Sequence, residues 1–371
     1  MTVAERIYLD DAGSARMLPE ALRARRSAPR GNPSSPHAEG REARAALDRA
    51  RDMAAEVLGT GTRELVFCSS GTEAVNLALF GAARRLPPGR SVVTWTAEHQ
   101  SALGAVRQLQ LEGRPLDLLS VDGGCLADPA DIPERAGLIS IGLANNEVGA
   151  IQPVAAIAAQ ARQLGAVLHV DCCQGPRWLE PPIGECDLAS FSGHKLGAGG
   201  GGLLVVRDTV RIDPLLLGGP QEWQKRAGHL EVGQAVAVAS ALDITSRERQ
   251  RRASVARHQS SLLRGALEAA GGRPVAVRPV LPNFACATFP GRRGEDLLLA
   301  LDLAGIAVSS GAACAAGSID PSHVLLAMGY SLDEAASGLR ISTGYDTVSE
   351  QVDRVVRLLP NLIGHRAAAR G

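Results

Sequence analysis

Seven short apolar runs separated by helix-like stretches constrain the fold of this chain more than any other feature. They lie between about residue 43 and residue 250 and read, in order, "ELVFCSS", "SVVTWTA", "LDLLSVD", "LISIGLANN", "AVLHVD", "DLASFS" and "GGLLVV". Stretches of helical periodicity, such as "TEAVNLALFGAARRL" and "PVAAIAAQARQLG", lie between several of them. This alternation predicts a mostly parallel sheet with helices on both faces. Ligands bind at the carboxyl ends of the strands in such sheets, so we expect the chemistry there.

The rest of the chain predicts a second, smaller domain. A long helix that begins at "VGQAVAVASALDITS" leads to "NFACATFPG", "EDLLLALDLAG" and "GLRISTG", which are typical of an α+β unit. A chain of 371 residues also exceeds the roughly 150 residues of an average domain. We therefore predict an α/β protein with a large domain at residues 18–245 and a small domain formed by residues 1–17 and 246–371.

Charge and cysteine usage narrow the classes of partner. The 39 basic and 39 acidic residues balance, which argues against direct nucleic-acid binding and against an anionic membrane surface. The start, "MTVAERIYLDDAG", lacks a signal peptide's apolar segment, and no apolar stretch approaches the roughly 20 residues of a membrane span, so we expect a cytoplasmic protein. The seven cysteines show no C-x-x-C spacing, so we expect neither a disulfide framework nor a metal site.

The stretch "ASFSGHKLGAGGGGLLVV" places Lys195 just before a run of glycines. The glycines at 197, 199 and 202 spell G-x-G-x-x-G, but a strand-like segment follows where a dinucleotide site needs a helix. A P-loop is excluded because its lysine comes after the glycines. Two interpretations remain: an amine at a strand end that reaches a cofactor carbonyl, or a surface lysine beside a flexible turn.

Asp171 ends the buried apolar run "AVLHVD". A carboxylate in such a place is costly unless it meets a cation or a strong donor, and a protonated pyridine nitrogen is such a partner. Enzymes that use pyridoxal 5'-phosphate combine this aspartate with a Schiff-base lysine, so that the ring can accept electrons from the substrate. The alternative for Asp171 is a helix N-cap.

Two further strand ends carry polar residues. "FCSSGTEAVNLAL" places Gly71 and Thr72 at a strand-to-helix turn, where backbone N–H groups and the helix dipole favour a phosphate. A capping box that includes Thr72 would explain the same residues. His99 follows the run "SVVTWT", where its ring could stack on a cofactor or move protons, or could be structural.

Motifs along the whole chain, in order, resemble those of the cysteine desulfurases, which are pyridoxal phosphate enzymes of the class V aminotransferase fold. The stretches that carry the resemblance are "GNPSSPHAEGREA", "GTEAVNLA", "AEH", "NNEVGAIQP", "HVDCCQG", "SFSGHKLGAGGGGLLV", "LPNF" with "FPG", "LALDLAGIAVSSGAACAAGSIDPSHVLLAMG" and "GLRISTG". The resemblance implies a fold-type I transferase with pyridoxal 5'-phosphate as cofactor, L-cysteine as substrate and a homodimer as the assembly. It also implies a sulfur-acceptor protein as partner.

The resemblance assigns a role to each matching residue. Lys195 would be the Schiff-base lysine and Asp171 the partner of the pyridine nitrogen. His99 would stack on the ring and carry a proton, and Arg340 would clamp the substrate carboxylate, a task that suits its planar fork. The other cofactor contacts implied are Gln174 to the phenolic oxygen, Asn146 near the ring and substrate, and Gly71, Thr72, Ser192 and His194 around the phosphate.

Cys314 would carry the distinctive chemistry. It lies in "SSGAACAAGS", a run of small residues, and would take the substrate's sulfur as a persulfide while alanine is released. A selenocysteine lyase, or a C–S lyase that releases sulfide directly, is the main alternative on the same scaffold, and a direct lyase would not depend on this thiol. A catalytically silent scaffold is a second alternative, which the retention of Lys195, Asp171 and Arg340 disfavours.

Two segments depart from the family pattern. The family usually has an aromatic residue or Asn followed by Ala-Ala-Thr-Thr, and "LDDAGSARM" places Asp11, Gly13 and Ala15 there. The family's "R-S-G-T" segment, whose threonine reaches the phosphate of the neighbouring subunit, reads "RAGH", with His229 in the threonine's place. We expect His229 to donate to a phosphate across a dimer interface. Cys172 and Cys173, beside Asp171, have no role in this scheme.

Overall fold

A computed structural model describes residues 6–275, 277–311 and 321–364. Cys314 lies outside the described residues. The strands are β1 (Ile7–Tyr8), β2 (Leu65–Cys68), β3 (Ser91–Trp95), β4 (Leu116–Leu119), β5 (Ala136–Gly142), β6 (Val167–Asp171), β7 (Leu188–Ser192), β8 (Gly202–Val206), β9 (Arg273–Pro274), β10 (Phe284–Thr288), β11 (Ile306–Ala307) and β12 (Gly338–Ser342). The α-helices are α1 (Pro19–Ser27), α2 (Ala38–Leu58), α3 (Gly71–Ala83), α4 (Gln100–Leu111), α5 (Val154–Leu164), α6 (Gly193–Leu196), α7 (Val232–Ala269), α8 (Gly294–Leu303), α9 (His323–Ala327), α10 (Leu332–Ala336) and α11 (Ser349–Ile363).

The seven apolar runs form one sheet, as the sequence predicts. The strand order is β2-β8-β7-β6-β5-β3-β4, and every neighbouring pair is parallel except the two that involve β8. The central strands are buried on both faces, which explains their continuous apolar character. The carboxyl ends of β5, β6 and β7 therefore meet at one edge of the sheet.

Helices cover both faces of this sheet. On one face α3 and α4 pack in a cluster that includes Leu77, Leu79 and Leu109. On the other face α2, α5 and α7 contribute to a second cluster. Helix α3 is buried on nearly all sides and lies across the sheet, so its first residues reach the edge where the central strands end.

A smaller α+β unit follows the sheet. Strands β9, β10 and β12 form an antiparallel sheet, and α8 and α11 pack on it together with the last turns of α7. Strand β1 pairs with β11, so the start of the chain joins this unit. Helix α7 runs through the predicted domain boundary at residue 245 without a break. Within the described ranges, no helix is long and apolar enough to cross a membrane.

Candidate active site

A cleft of about 310 Å³ opens at the carboxyl ends of β5, β6 and β7. Ten of the twelve residues predicted for the site line it, although they come from six separate stretches of the chain. These ten are Gly71, Thr72, His99, Asn146, Asp171, Gln174, Ser192, His194, Lys195 and Arg340. The structure thus brings together residues that lie far apart in the sequence.

Lys195 lies on the single turn α6, directly after β7. The backbone N–H of Gly193 donates to the carbonyl of Gly201 at 2.8 Å, and a Cβ at residue 193 would lie 1.8 Å from the carbonyl oxygen of Gly200. Gly197 then ends the turn with φ +87°. The glycines of this stretch therefore hold the lysine on a tight turn at the cleft, rather than forming a phosphate-binding loop.

Asp171 is held by neighbours on both sides. Its Oδ1 accepts hydrogen bonds from the backbone N–H of Cys173 at 2.8 Å and from the hydroxyl of Ser190 at 3.3 Å. It is 7% exposed, and a turn rather than a helix follows it, so the N-cap interpretation is wrong. The carboxylate faces the cleft from a fixed position.

A buried histidine stands behind Asp171. His169, two residues earlier on β6, contacts the hydroxyl of Ser140 through Nδ1 at 2.9 Å and that of Ser190 through Nε2 at 3.1 Å. Burial lowers the pKa of His169 to about 4, so the ring is neutral at physiological pH. Ser190 links this neutral ring to the carboxylate of Asp171.

The start of α3 forms a narrow cradle at the cleft. Ser70 caps the helix by accepting a hydrogen bond from the backbone N–H of Glu73 at 3.1 Å, so Thr72 is not needed as a cap. A Cβ at Gly71 would lie 2.6 Å from the Sγ of Cys173 and 2.7 Å from the Cβ of Ser192. Only glycine fits this approach, so no side chain at residue 71 fills the part of the cleft where α3 begins.

His99 is both a helix cap and part of the cleft wall. Its Nδ1 accepts a hydrogen bond from the backbone N–H of Ser101 at 3.1 Å, which assigns the proton of the neutral ring to Nε2. Burial, and then the charge of Lys195, lower the pKa of His99. The ring is therefore biased toward its neutral form at physiological pH.

Glu98, the residue before His99, was missed by the sequence reasoning. Its side chain lines the cleft, and its Oε1 accepts a hydrogen bond from the backbone N–H of Gly142 at 3.1 Å. Burial raises the pKa of this carboxyl to about 8, and the nearby charge of Asp171 contributes. An acidic residue three positions after the end of the buried strand β3 is the available signal. Cys173 also lines the cleft, while Cys172 is buried in the core behind it.

Arg340 rises from the buried strand β12 and is 3% exposed. Its Nη1 donates to the carbonyl of Asn146 and its Nη2 to Oδ1 of Asp10, both at 2.6 Å. Its Nε is buried and has no hydrogen-bond partner among the residues that the structure describes. Arg340 also lines the cleft, and its guanidinium suits an anionic ligand such as a carboxylate.

The residues of the cleft fit pyridoxal 5'-phosphate. A buried carboxylate, Asp171, can hold a protonated ring nitrogen, and the cradle at Gly71 can take a phosphate without a side chain in the way. Lys195 lines the same cleft. His229 does not line this cleft: it is exposed, next to Arg226, whose Nη1 donates to the His229 carbonyl at 3.2 Å. Its predicted role across a dimer interface stays a prediction.

Comparisons with known proteins agree with this geometry. The sequence profile described as aminotransferase class-V matches residues 7–355. A Bacillus subtilis (strain 168) protein named putative cysteine desulfurase IscS 1 is 36% identical over 97% of this chain and 99% of its own length. A solved structure titled NifS-like protein has a TM-score of 0.88 at 30% identity, covering 96% of this chain and 99% of that one. Another, titled SspA in complex with cysteine, has a TM-score of 0.79 at 28% identity, covering 92% and 100%.

Proposed function

The chain belongs to the class-V aminotransferase family, among its cysteine desulfurases, and on this premise we propose that it converts L-cysteine to L-alanine and carries the sulfur as a persulfide on Cys314. The observation that carries the proposal is the meeting of Lys195, Asp171 and Arg340 in one cleft. An amine, a buried carboxylate and a carboxylate-binding guanidinium are the groups that pyridoxal phosphate chemistry on an amino acid requires.

We propose pyridoxal 5'-phosphate as the cofactor. When bound, it would supply an electron sink for the substrate's α-carbon. Asp171 would keep the ring nitrogen protonated, the start of α3 at Gly71 and Thr72 would hold the phosphate, and Gln174 would donate to the phenolic oxygen. Ser192 and His194, whose Oγ and Nδ1 lie 2.8 Å apart, would complete the phosphate site.

The remaining residues of the cleft act on the substrate. Arg340, which lines the cleft, would hold the substrate carboxylate and so fix the α-carbon near Lys195, which would remove the α-proton. His99, kept neutral with its proton on Nε2, can pass a proton within the cleft. Asn146 fixes Arg340 through its carbonyl and lines the cleft beside it.

The sulfur step would use Cys314. Its thiolate attacks the substrate sulfur, an S–S bond forms and the C–S bond breaks, and the electron pair left on the carbon skeleton is protonated to give alanine. Gly311, three residues before Cys314, lines the cleft, which supports this assignment. The persulfide would pass to a sulfur-acceptor protein. A homodimer, in which His229 serves the partner's cleft, and a cytoplasmic location also remain predictions.

The test is to measure alanine and sulfide released from L-cysteine, with and without a reductant, by the wild type, Lys195→Ala and Cys314→Ala. Cys186→Ala, at a buried thiol outside the cleft, is the matched control. We expect Lys195→Ala and Cys314→Ala to lose activity, Cys314→Ala to keep its cofactor absorbance, and the control to remain active. Sulfide release by Cys314→Ala at the wild-type rate would favour a direct lyase. A wild type that releases no alanine would favour a silent scaffold or another substrate, such as selenocysteine.

A further inference from the structure

Asp10 forms an ion pair with the guanidinium that would bind the substrate. Its Oδ1 accepts from Nη2 of Arg340 at 2.6 Å, yet Asp10 itself does not line the cleft. The Asp10 side chain is 25% exposed and the Arg340 side chain 4%. Arg340 therefore lines the cleft, while a carboxylate from outside the cleft neutralises part of its charge.

Gly13 makes room for this arrangement. A Cβ at residue 13 would lie 2.7 Å from Oδ2 of Asp10 and 3.0 Å from its Cγ and Oδ1. Alanine stands at this position in the family pattern that the chain resembles. Gly13 therefore lies directly against the Asp10 carboxylate, which would have to shift to accommodate a larger side chain at residue 13.

From these contacts we propose that Asp10 is a charge-balancing positioning residue that weakens the hold of Arg340 on a ligand carboxylate. The inference rests on the proposed function, because the ligand in question is the common carboxylate of L-cysteine and L-alanine. The carbonyl of Asn146 and the carboxylate of Asp10 fix the orientation of the guanidinium, and the negative charge of Asp10 opposes the incoming anion. The consequence is a site that orients the substrate and still releases the product.

The charge-removing variant is Asp10→Asn, because its amide oxygen can still accept from Nη2 of Arg340. The matched control is Asp11→Asn. Asp11 makes its own buried ion pair with Arg177, at 2.6 Å, and neither residue lines the cleft. The same exchange at the adjacent position therefore removes the carboxylate charge from an Asp–Arg ion pair that does not line the cleft.

We expect Asp10→Asn to lower the KM for L-cysteine and the inhibition constant of L-alanine together, each by roughly tenfold. The kcat should stay the same or fall, because product release slows. Asp11→Asn should lower the melting temperature and leave both constants unchanged. A purely structural role for Asp10 would lower stability without tightening both ligands, so constants that stay the same or rise overturn the proposal.

A second measurement needs no variant and no turnover. Thermal shifts of the wild-type holoenzyme give the affinities for L-alanine and L-alaninamide, which differ only in the carboxylate. With Arg340 partly neutralised we expect a preference for L-alanine below about tenfold, and a preference above about a hundredfold would overturn the proposal. If the wild type releases no alanine from L-cysteine, the proposed function fails, and this ratio still tests Asp10. If the Asp10→Asn variant does not fold, the ion pair between Asp10 and Arg340 is required for folding, and this result would also overturn the proposal.

Discussion

Replacing Glu98 with glutamine is expected to remove a loss of stability that the wild type suffers as pH rises. The folded carboxyl has a pKa of about 8, against an ordinary value of 4.5, because it is buried in the cleft wall beside Asp171. Between these values the folded state holds a proton that the unfolded chain has released, so stability is highest at low pH and falls as pH rises through this window. The amide of the Glu98→Gln variant has no such proton to lose.

The size of the effect follows from the same two values. The carboxyl lowers the free energy of unfolding by about 1 kcal/mol at pH 5 and by about 4 kcal/mol at pH 8. The difference in stability between variant and wild type should therefore grow by about 3 kcal/mol across this range. Any effect of the amide that does not depend on pH cancels in this comparison.

Urea unfolding of the apoprotein at several pH values between 5 and 8 measures this difference. Glu56→Gln, at an exposed position on α2, is the matched control and should show no such trend. If the curves for Glu98→Gln and the wild type run parallel across this range, Glu98 ionises like an exposed glutamate and the argument from burial is wrong.

Three further predictions concern single side chains. Gly71→Ala should weaken cofactor binding at least tenfold in an absorbance titration and destabilise the apoprotein by about 1–3 kcal/mol, because its Cβ would collide with Cys173. His169→Gln should remove a loss of stability at acid pH. Because the pKa of His169 is about 4, the free energy of unfolding of the wild type should fall by about 3 kcal/mol more than that of the variant between pH 6.5 and pH 4, as measured by urea unfolding. Glu222→Gln should lower the free energy of unfolding by about 3–5 kcal/mol in the same assay, because the substitution leaves the buried guanidinium of Arg51 without its counterion. A decrease below about 1 kcal/mol would refute this prediction.

The sequence predicts the sheet and the cleft's main residues for one physical reason. A strand that is buried on both faces appears in the sequence as a short apolar run. A polar residue at the end of such a run, or just after it, therefore lies at the edge of the sheet, as Asp171 and Lys195 do. The pattern of apolar residues does not determine which way the side chains point in the turns that follow the strands. The sequence indicates His99 and not Glu98, although both line the cleft, because the burial that raises the pKa of Glu98 is a tertiary property.

The acidic pair Asp10 and Asp11 shows where local patterns stop being informative. The two side chains are adjacent and identical, but Asp10 forms a β-bridge with Ser342 whereas Asp11 begins a turn, so their side chains take different directions. One therefore pairs with Arg177 after β6 and the other with Arg340 on β12, 330 residues away. Neither the composition nor the spacing of "LDD" distinguishes them, because the partners are set by how the small unit packs on the sheet. If Asp10 tunes the affinity of Arg340 as proposed, the strength of substrate binding depends on this packing as much as on the cleft's own motifs.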